Sequence, residues 1–292
     1  MKTTVREGRA MGSPLRLTLP GICDLEADAA WGDVQAVFGR ADRDLTRFSS
    51  GSALSRLNRA VATNRAVRVP PMLARALATA WRAFRISRGQ FDPRIIGALE
   101  AAGERAGVEL PASPLALAPH DRWLVLGLRP RIARVMAPVD LGGIGKGLAL
   151  RWAAAALREA GHDRFLLSAG GDVLAAGAGP LDRPWIVGIE DPSGERSPLL
   201  TLELTDEAVA TTSIAVRAWR DPSGHLRHHL IDPTTLAPAD PIWTSVTVVH
   251  ADPAWAEVWS KVAFLSGHGI APLLRGRRAW WFDASKGVLT AA

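Results

Sequence analysis

The feature that most constrains this chain is a glycine-rich loop that leads directly into a helix. Residues 140–147 read Asp-Leu-Gly-Gly-Ile-Gly-Lys-Gly, and apolar residues with helical spacing follow over 148–160. Glycines at the start of a helix let backbone N–H groups approach a phosphate closely, and Lys146 places a positive charge beside them. The order differs from the GxxxxGK[ST] pattern of a P-loop. The loop therefore indicates either a diphosphate site or a tight strand-to-helix turn with an exposed lysine.

A second glycine turn carries a carboxylate. Gly170, Gly171 and Asp172 follow an apolar segment at 165–168 that predicts a strand. The glycines permit close approach of a ligand, and Asp172 can accept hydrogen bonds from a ribose or an amine. Taken alone, this pattern is more typical of a plain turn than of a binding site.

Two side-chain pairs add further candidates. His228 and His229 are neighbours, and because neighbours on a strand face opposite sides, only one of them can point into a given site. That histidine could act as an acid, a base or a ligand contact, or it could be a satisfied core histidine before an Asp-Pro turn. Glu257 and Lys261 have the spacing of an ordinary intrahelical ion pair.

The hydrophobic periodicity predicts helices and hairpins in mixed order. Helices are predicted over 26–45, 71–88, 148–160 and 253–267. Predicted strands include 14–19, 123–128, 131–137, 165–168, 228–231, 245–250 and a last strand at 280–283, whereas 103–121 reads as a loop insertion. The sequence shows no internal repeat and no convincing boundary. We therefore expect a single α+β domain over residues 1–292, with a mixed, mainly antiparallel sheet and packed helices.

Composition narrows the classes of function. The net charge is +6 at pH 7, but the arginines are scattered, and no basic stripe with interleaved aromatics indicates a nucleic-acid partner. Cys23 is the single cysteine, which excludes an internal disulfide and a multi-cysteine zinc site. No apolar run approaches the ~18 residues of a membrane span, and the first residues lack a leader pattern. We expect a cytoplasmic protein without membrane insertion.

The order of the motifs resembles the ApbE family of FAD:protein FMN transferases over nearly the whole chain. The matching segments are Met11-Gly12-Ser13, Phe48 with Ser52-Ala53-Leu54-Ser55-Arg56-Leu57-Asn58, Gln90-Phe91-Asp92-Pro93, residues 140–147, Gly170-Gly171-Asp172, Ala210-Thr211-Thr212-Ser213, and His229-Leu230-Ile231-Asp232-Pro233 with Thr235. Each segment alone is a weak signal, but their shared order is specific. Among the departures, Arg151 stands where the family has an aspartate.

The resemblance implies an FAD site and a transfer reaction. In this family a serine or threonine hydroxyl of a target flavoprotein attacks the FMN-side phosphorus of FAD, and AMP leaves. The positions that match FAD contacts are Met11, Phe48, Gln90, Phe91, Asp92, Asp140, Lys146 and Thr244, and Gly170, Gly171, Asp172 and His229 would line the same pocket. The resemblance gives catalytic roles to His229, Lys146 and Asp232, with His229 as a base or a diphosphate contact.

The resemblance is weakest at the metal site. Family enzymes hold Mg²⁺ on the diphosphate, and the matching positions are Gly143, Glu257 and Lys261, where Glu257 replaces an aspartate and Lys261 a threonine. A protonated lysine has no lone pair with which to bind a metal. Either Lys261 substitutes for the cation, or the site only holds FAD. We expect transfer, with an FAD-binding protein of the same fold as the alternative. A flavin-dependent redox enzyme ranks last, because the chain has no nicotinamide fingerprint.

Overall fold

The computed structural model of the chain describes residues 2–104, 123–215, 217–220, 224, 226–240, 242–274 and 277–291. These residues form a mixed α+β fold built on antiparallel sheets with packed helices, which confirms the predicted fold class. The extent of a single domain over residues 1–292 stays a prediction. None of the helices in these ranges is long and apolar enough to cross a membrane.

The secondary structure alternates between hairpins and helices. The α-helices of the described ranges are α1 (Asp24–Leu45), α2 (Ala53–Arg59), α3 (Pro71–Ile86), α4 (Ile96–Ala101), α5 (Gly145–Glu159) and α6 (Pro253–Ser266). The strands are β1 (Thr3–Ala10), β2 (Ser13–Pro20), β3 (Val67–Arg68), β4 (Leu124–Leu128), β5 (Arg131–Val135), β6 (Phe165–Ala169), β7 (Asp172–Ala176), β8 (Trp185–Ile189), β9 (Leu200–Leu204), β10 (Ala208–Ser213), β11 (Ala218–Arg220), β12 (Leu226–His228), β13 (Ile231–Asp232), β14 (Ala237–Pro238), β15 (Ser245–His250), β16 (Ala279–Asp283) and β17 (Val288–Ala291).

The central sheet is covered on both faces. Its strands run in the order β1-β2-β6-β7-β10-β15-β16-β17, and neighbouring strands are antiparallel. Because side chains alternate along a strand, Leu174 and Ala176 of β7 join the core that contains α1, α5 and α6. Val173 and Ala175 pack instead against the ribbon of β8 and β9. Every residue of β7 is therefore buried, and the turns at the end of this strand have a rigid base.

The start of α6 is tied to α5 by a shared carboxylate. Asp252 caps α6, since its Oδ1 accepts a hydrogen bond from the backbone N–H of Ala254 at 2.9 Å. Arg151 of α5 donates to the same oxygen at 2.6 Å. The arginine that departs from the family pattern thus joins the two helices, and this contact holds the start of α6 beside the middle of α5.

The chain around His228 differs from the predicted continuous strand over 228–231. His228 ends β12, Ile231 begins β13, and residues 229–230 lie between them. His228 Nε2 donates to the carbonyl oxygen of Ala239 at 2.9 Å, and the Leu230 N–H donates to His228 Nδ1 at 3.3 Å, so the chain turns here. The strand predicted at 280–283 is present as β16, but it is not the last one, because β17 follows it. Most of the loop predicted at 103–121 lies outside the described residues.

Replacing Gly147 with alanine is expected to lower the free energy of unfolding. A Cβ at this position would lie 2.5 Å from the carbonyl oxygen of Pro253 and 2.6 Å from Cα of Ala254, so two backbones would have to separate. Overpacking of this kind costs about 1–3 kcal/mol, which exceeds the roughly 1 kcal/mol that alanine gains over glycine in a helix. Urea denaturation measures the change.

The matched control for Gly147→Ala is Gly145→Ala on the same helix. The contact of its added Cβ would be Met11 Cε at 3.3 Å, at the end of a flexible side chain. We expect Gly145→Ala to leave the unfolding free energy nearly unchanged. Equal stability of Gly147→Ala and the wild type would show that α5 and α6 can separate without cost.

Candidate functional site

Two tight turns meet at one end of the central sheet. Residues 11–12 join β1 to β2, and residues 170–171 join β6 to β7, with positive φ at all four positions. Two central residues with positive φ define the type I′ hairpin turn, which glycine adopts without strain. Because β2 pairs with β6, the turns are adjacent, and the N–H of Gly170 donates to the Pro14 carbonyl at 2.9 Å. This arrangement places Met11 and Asp172 on one side of the start of α5.

The loop before α5 is held by an aspartate. Asp140 Oδ1 accepts a hydrogen bond from the Gly142 N–H at 2.7 Å, and its Oδ2 accepts one from Arg47 Nε at 3.1 Å. Gly143 packs against neighbouring side chains so closely that a Cβ there would lie 3.1 Å from Phe91 Cε2. The absence of a side chain at Gly143 therefore lets Phe91 pack against the loop, and other residues of the loop line a cavity.

A large cavity opens beside these turns. Its volume is about 760 Å³, within the range of roughly 300–1,000 Å³ that is usual for sites of small molecules and cofactors. The predicted site residues that line it are Met11, Phe48, Asp140, Lys146, Gly170, Asp172, His229 and Lys261. Residues far apart in the sequence are thus brought to one surface, and their side chains include two lysines, two aspartates and a histidine.

A smaller, more apolar cavity adjoins the large one. Its volume is about 70 Å³, and it contains the predicted residues Gln90, Phe91, Asp92, Asp140, Gly143, His229 and Lys261. Asp140, Gly142, Arg217, His229 and Lys261 line both cavities. The two spaces therefore meet at a polar boundary that the glycine loop, Arg217 and His229 form together.

Two lysines and two carboxylates form a compact cluster at the start of α5. Lys146 Nζ lies 2.8 Å from Glu257 Oε1 and 3.1 Å from Asp172 Oδ2, and Lys261 Nζ lies 3.4 Å from the same Glu257 oxygen. Glu257 Oε2 accepts a hydrogen bond from the Gly147 N–H at 2.8 Å. Glu257 is fully buried beneath the cavity, and both its oxygens are occupied.

The pKa values of the two carboxylates in this cluster shift in opposite directions. Burial raises the pKa of Asp172, against the opposing effect of the Lys146 charge. Burial also acts to raise the pKa of Glu257, but the charges of Lys146 and Lys261 outweigh it and hold that pKa below its usual range. For Lys146, burial works to lower the pKa, and the nearby charges of Asp172 and Glu257 more than reverse it. Lys146 therefore stays an ammonium ion in this site.

His229 lines both cavities as a neutral imidazole whose Nε2 has no hydrogen-bond partner among the described residues. Burial, with the nearby charges of Arg217 and Lys261, lowers its pKa to about 3. Its Nδ1 lies 3.2 Å from the carbonyl oxygen of Arg217, and since a carbonyl only accepts, Nδ1 carries the proton. Nε2 then holds a lone pair. Of the two adjacent histidines, His229 alone lines the cavities, while His228 is engaged in the turn, although the chain turns here instead of continuing as the predicted strand.

The pKa of His229 predicts how stability responds to acid. Its ordinary pKa of 6.5 applies to the unfolded chain, and about 3 applies to the folded protein. Between these values the unfolded state binds the additional proton, so stability falls as the pH falls, by up to about 1.4 kcal/mol per pH unit. Urea denaturation at pH 7, 6 and 5 should show a smaller slope for His229→Asn than for the wild type. Identical slopes would mean that His229 titrates normally in the folded protein.

Several predicted residues have structural contacts instead of a place at the cavities. Asp232 Oδ1 accepts a hydrogen bond from the Thr234 N–H at 2.7 Å and so holds the turn after β13. Thr244 Oγ1 accepts one from the Ala284 N–H at 3.2 Å. Among the described residues that line the two cavities, neither of these occurs, and Gly171 is also absent. Asp92 does line the smaller cavity, but its carboxylate is paired with Arg94 NH2 at 2.7 Å.

The structure adds an arginine cluster that the sequence analysis missed. Arg47 is buried and donates from NH2 to Glu104 Oε2 at 2.6 Å, and Arg217 pairs with the other oxygen of Glu104. Both guanidinium groups lie over the ring of Phe48, at 4.4 Å for Arg47 and 5.7 Å for Arg217. Arg47 NH1 is buried without a hydrogen-bond partner among the described residues, and Arg47 lines the large cavity. Its position next to Phe48 was the available sequence signal.

The residues present do not fit a magnesium ion. Gly143, Glu257 and Lys261 come together, as the resemblance implies, but the Lys261 stem passes beside Gly143 and its ammonium pairs with Glu257. Within the described part of the chain, no group of three or more histidine, cysteine, aspartate or glutamate side chains is placed to share a metal. Mg²⁺ needs several oxygen ligands in near-octahedral geometry. An ammonium stands where one of those ligands would be.

The fold and site together define an α+β protein with a nucleotide-sized cavity at the start of a helix, lined by basic and acidic side chains. The chain belongs to the ApbE family, whose pattern matches residues 11–278. The family predicted from the motif order is thereby confirmed.

Two curated relatives are both named FAD:protein FMN transferase. The FAD:protein FMN transferase of Rhodobacter capsulatus is 30% identical over 265 residues, which cover 88% of this chain and 50% of that protein. The chain thus spans half the length of this relative. The FAD:protein FMN transferase of Klebsiella pneumoniae is 26% identical over 276 residues, covering 90% of this chain and 79% of that protein.

Solved structures share the fold. The apo form of the Pseudomonas stutzeri flavinyl transferase ApbE has a TM-score of 0.81 at 21% identity, covering 100% of this chain and 94% of that one. The flavin transferase ApbE from Vibrio cholerae has a TM-score of 0.79 at 19% identity, covering 100% and 96% of the two chains. The overall fold of this chain is therefore one that solved structures already contain.

Proposed function

We propose that this chain transfers the FMN part of FAD to a serine or threonine hydroxyl of a target flavoprotein and releases AMP. The observation that carries the proposal is the large cavity, in which Lys146 and Lys261 lie at the start of α5 and the neutral His229 lines the same wall. Membership of the family and the names of its relatives support the same reaction. The cytoplasmic location stays a prediction.

The cluster at the start of α5 suits a diphosphate. The N-terminus of a helix attracts negative charge, and two ammonium groups lie beside it. A diphosphate that reaches Lys146 and Lys261 would gain charge-assisted hydrogen bonds with partners that already have fixed positions. Arg47 Nη1, which is buried and has no hydrogen-bond partner among the described residues, offers a further donor to a polar atom of FAD in the same cavity.

The reaction breaks one phosphorus–oxygen bond and forms another. The acceptor oxygen bonds to the FMN-side phosphorus, the bond to the bridging oxygen breaks, and that oxygen leaves with AMP. His229 Nε2 takes the hydroxyl proton with its lone pair, and the negative charge of a bound diphosphate would raise the pKa of this imidazole above its value in the protein alone and make it a stronger base. Lys146 and Lys261 stabilise the negative charge that develops on the phosphoryl oxygens and on the leaving AMP.

A second function follows from the ion pairs of the same cluster. Because the Lys261 ammonium, paired with Glu257, stands at the position that matches a metal-ligating threonine of the family, the site would hold FAD intact without transferring FMN. The alternative requires that bound FAD is stable in the presence of an acceptor. It differs from transfer in its products, and not in its affinity for FAD.

Product analysis distinguishes the two functions. The purified chain is incubated with FAD and a peptide whose serine or threonine is flavinylated by another ApbE-family transferase. We expect AMP release and a peptide mass increased by one FMN, with a serine- or threonine-to-alanine peptide as the matched control. FAD that binds but yields neither product, with or without Mg²⁺, would replace the transferase with the FAD-holding function.

A further inference from the structure

Lys261 occupies the space that a cation at the diphosphate would need. A Cβ at Gly143 would lie 3.2 Å from Lys261 Cδ and 3.3 Å from its Cε, so the lysine stem fills the gap between Gly143 and α6. Its Nζ then reaches Glu257 Oε1 at 3.4 Å. A metal bound between Gly143 and Glu257 would have to displace this side chain. The position is therefore already taken by a positive charge that belongs to the protein.

The Lys261 ammonium has donors left for a ligand. An ammonium carries three N–H donors, and the contact with Glu257 uses one of them. The side chain is mostly buried, with 19% exposed, yet it lines both cavities, so a ligand in either space can reach it. Glu257 holds the lysine in place from below and is itself fixed by Lys146 and the Gly147 N–H.

We propose that Lys261 takes the place of a divalent cation at the diphosphate of FAD, so that this chain binds FAD without a metal ion. The inference rests on the proposed function insofar as the large cavity is the FAD site. Lys146 and Lys261 would hold the two phosphoryl groups from one side, at the N-terminus of α5. Mg²⁺ would then gain no ligands here, and its addition would not strengthen the complex.

A bound diphosphate would favour the charged form of Lys261. In the protein alone, burial and the positive charge of Lys146 lower the pKa of Lys261, against the opposing charges of Glu257 and Asp172. A bound diphosphate adds negative charge at close range and favours the ammonium form. Binding and protonation of Lys261 therefore reinforce each other.

The first test compares FAD binding by the wild type in two buffers. Quenching of FAD fluorescence gives the dissociation constant in EDTA and in millimolar Mg²⁺, without any acceptor present. We expect the two constants to agree within about twofold. Binding that is tenfold or more tighter with Mg²⁺, or FAD that binds in neither buffer, would overturn the proposal.

Substitutions at Lys261 provide the second test. Lys261→Met keeps the length of the side chain but removes its charge, and we expect FAD affinity to fall by roughly 10- to 100-fold in EDTA, the equivalent of one charge-assisted hydrogen bond. Lys261→Arg keeps the charge and should retain most of the affinity. Because Lys146 still pairs with Glu257 in both variants, the fold should persist, which circular dichroism checks. An unchanged affinity of Lys261→Met would overturn the proposal.

Lys261→Thr makes the test specific for the metal. This variant restores a hydroxyl beside Glu257, and we expect weak FAD binding in EDTA that Mg²⁺ improves, whereas Lys261→Met should not respond to Mg²⁺. If Mg²⁺ changed FAD binding equally in Lys261→Thr and Lys261→Met, the proposal that Lys261 takes the place of a cation would be contradicted. AMP release is measured separately, so metal-independent binding without transfer would refute the proposed function and leave the role of Lys261 intact.

Discussion

Lys146→Met is expected to destabilise the protein by about 3–5 kcal/mol and to abolish FAD binding, because it removes one partner from a buried ion cluster. Lys146 Nζ contacts Glu257 Oε1 at 2.8 Å and Asp172 Oδ2 at 3.1 Å, and these two carboxylates are almost completely buried. Methionine fills a similar volume but carries no charge. Lys261, at 3.4 Å from Glu257, would be left to balance both carboxylates.

The loss of stability in Lys146→Met should depend on pH, whereas a loss caused by a packing defect should not. Without Lys146, burial and mutual repulsion would raise the pKa of both carboxylates, so acid would neutralise them and relieve the strain. The stability difference between Lys146→Met and the wild type should therefore shrink between pH 7 and pH 5. Urea denaturation at both pH values measures it, and a difference that does not change with pH would rule out unpaired carboxylates as the cause.

Two comparison variants isolate the electrostatic effect of Lys146. Lys286→Met removes a lysine that pairs with Asp283 on the surface, at 67% exposure, and such a pair contributes only about 0–1 kcal/mol. Adding Glu257→Gln to Lys146→Met removes one of the unpaired charges and should restore part of the stability, but not FAD binding. If Lys146→Met costs no more than Lys286→Met, the buried cluster contributes little to folding.

The sequence predicted those parts of the site whose chemistry depends on local pattern. Glycine pairs and a lysine at the start of a helical pattern are visible without a structure, and Gly170 and Lys146 do come together at the cavity. Helical periodicity also located α1, α3, α5 and α6 to within a few residues. These features depend on residues that are close in the sequence, and they are therefore accessible to pattern analysis.

Contacts between distant segments could not be predicted in this way. Arg47 reads as one of many scattered arginines, and only the fold brings it within 3.1 Å of Asp140 and 2.6 Å of Glu104. Asp232 shows the opposite case. It belongs to a motif that suggests chemistry, yet its carboxylate holds a turn. An aspartate that accepts a backbone N–H two residues later is common in turns, and this local use competes with any catalytic role.

Lys261 shows how a departure from a family pattern gains meaning from packing. In the sequence it forms an ordinary helical pair with Glu257, or it disrupts a metal site. The structure shows that its stem fills the space beside Gly143 and that Glu257 is shared with Lys146. The substitution therefore comes with a set of contacts that hold a positive charge at the start of α5.

His229→Asn is expected to slow FMN transfer by about 10²–10⁴-fold while leaving FAD affinity within a few-fold of the wild type. Asparagine keeps an N–H that can donate to the Arg217 carbonyl, the contact that His229 Nδ1 makes at 3.2 Å. It lacks the basic Nε2, however, and so cannot take the acceptor proton. Single-turnover AMP release at saturating FAD and acceptor measures the chemical step, and FAD fluorescence measures binding.

His228→Asn is the matched control, because the adjacent imidazole lies outside the cavities and bonds to Ala239 and Leu230. It should lower stability by loosening the turn, but its single-turnover rate should stay within a few-fold of the wild type wherever the variant is folded. If instead His229→Asn transfers FMN at the wild-type rate, the proton must leave by another route. Asp172 would then be the residue to test next, since it lines the same cavity and burial raises the pKa of its carboxylate toward that of a useful base.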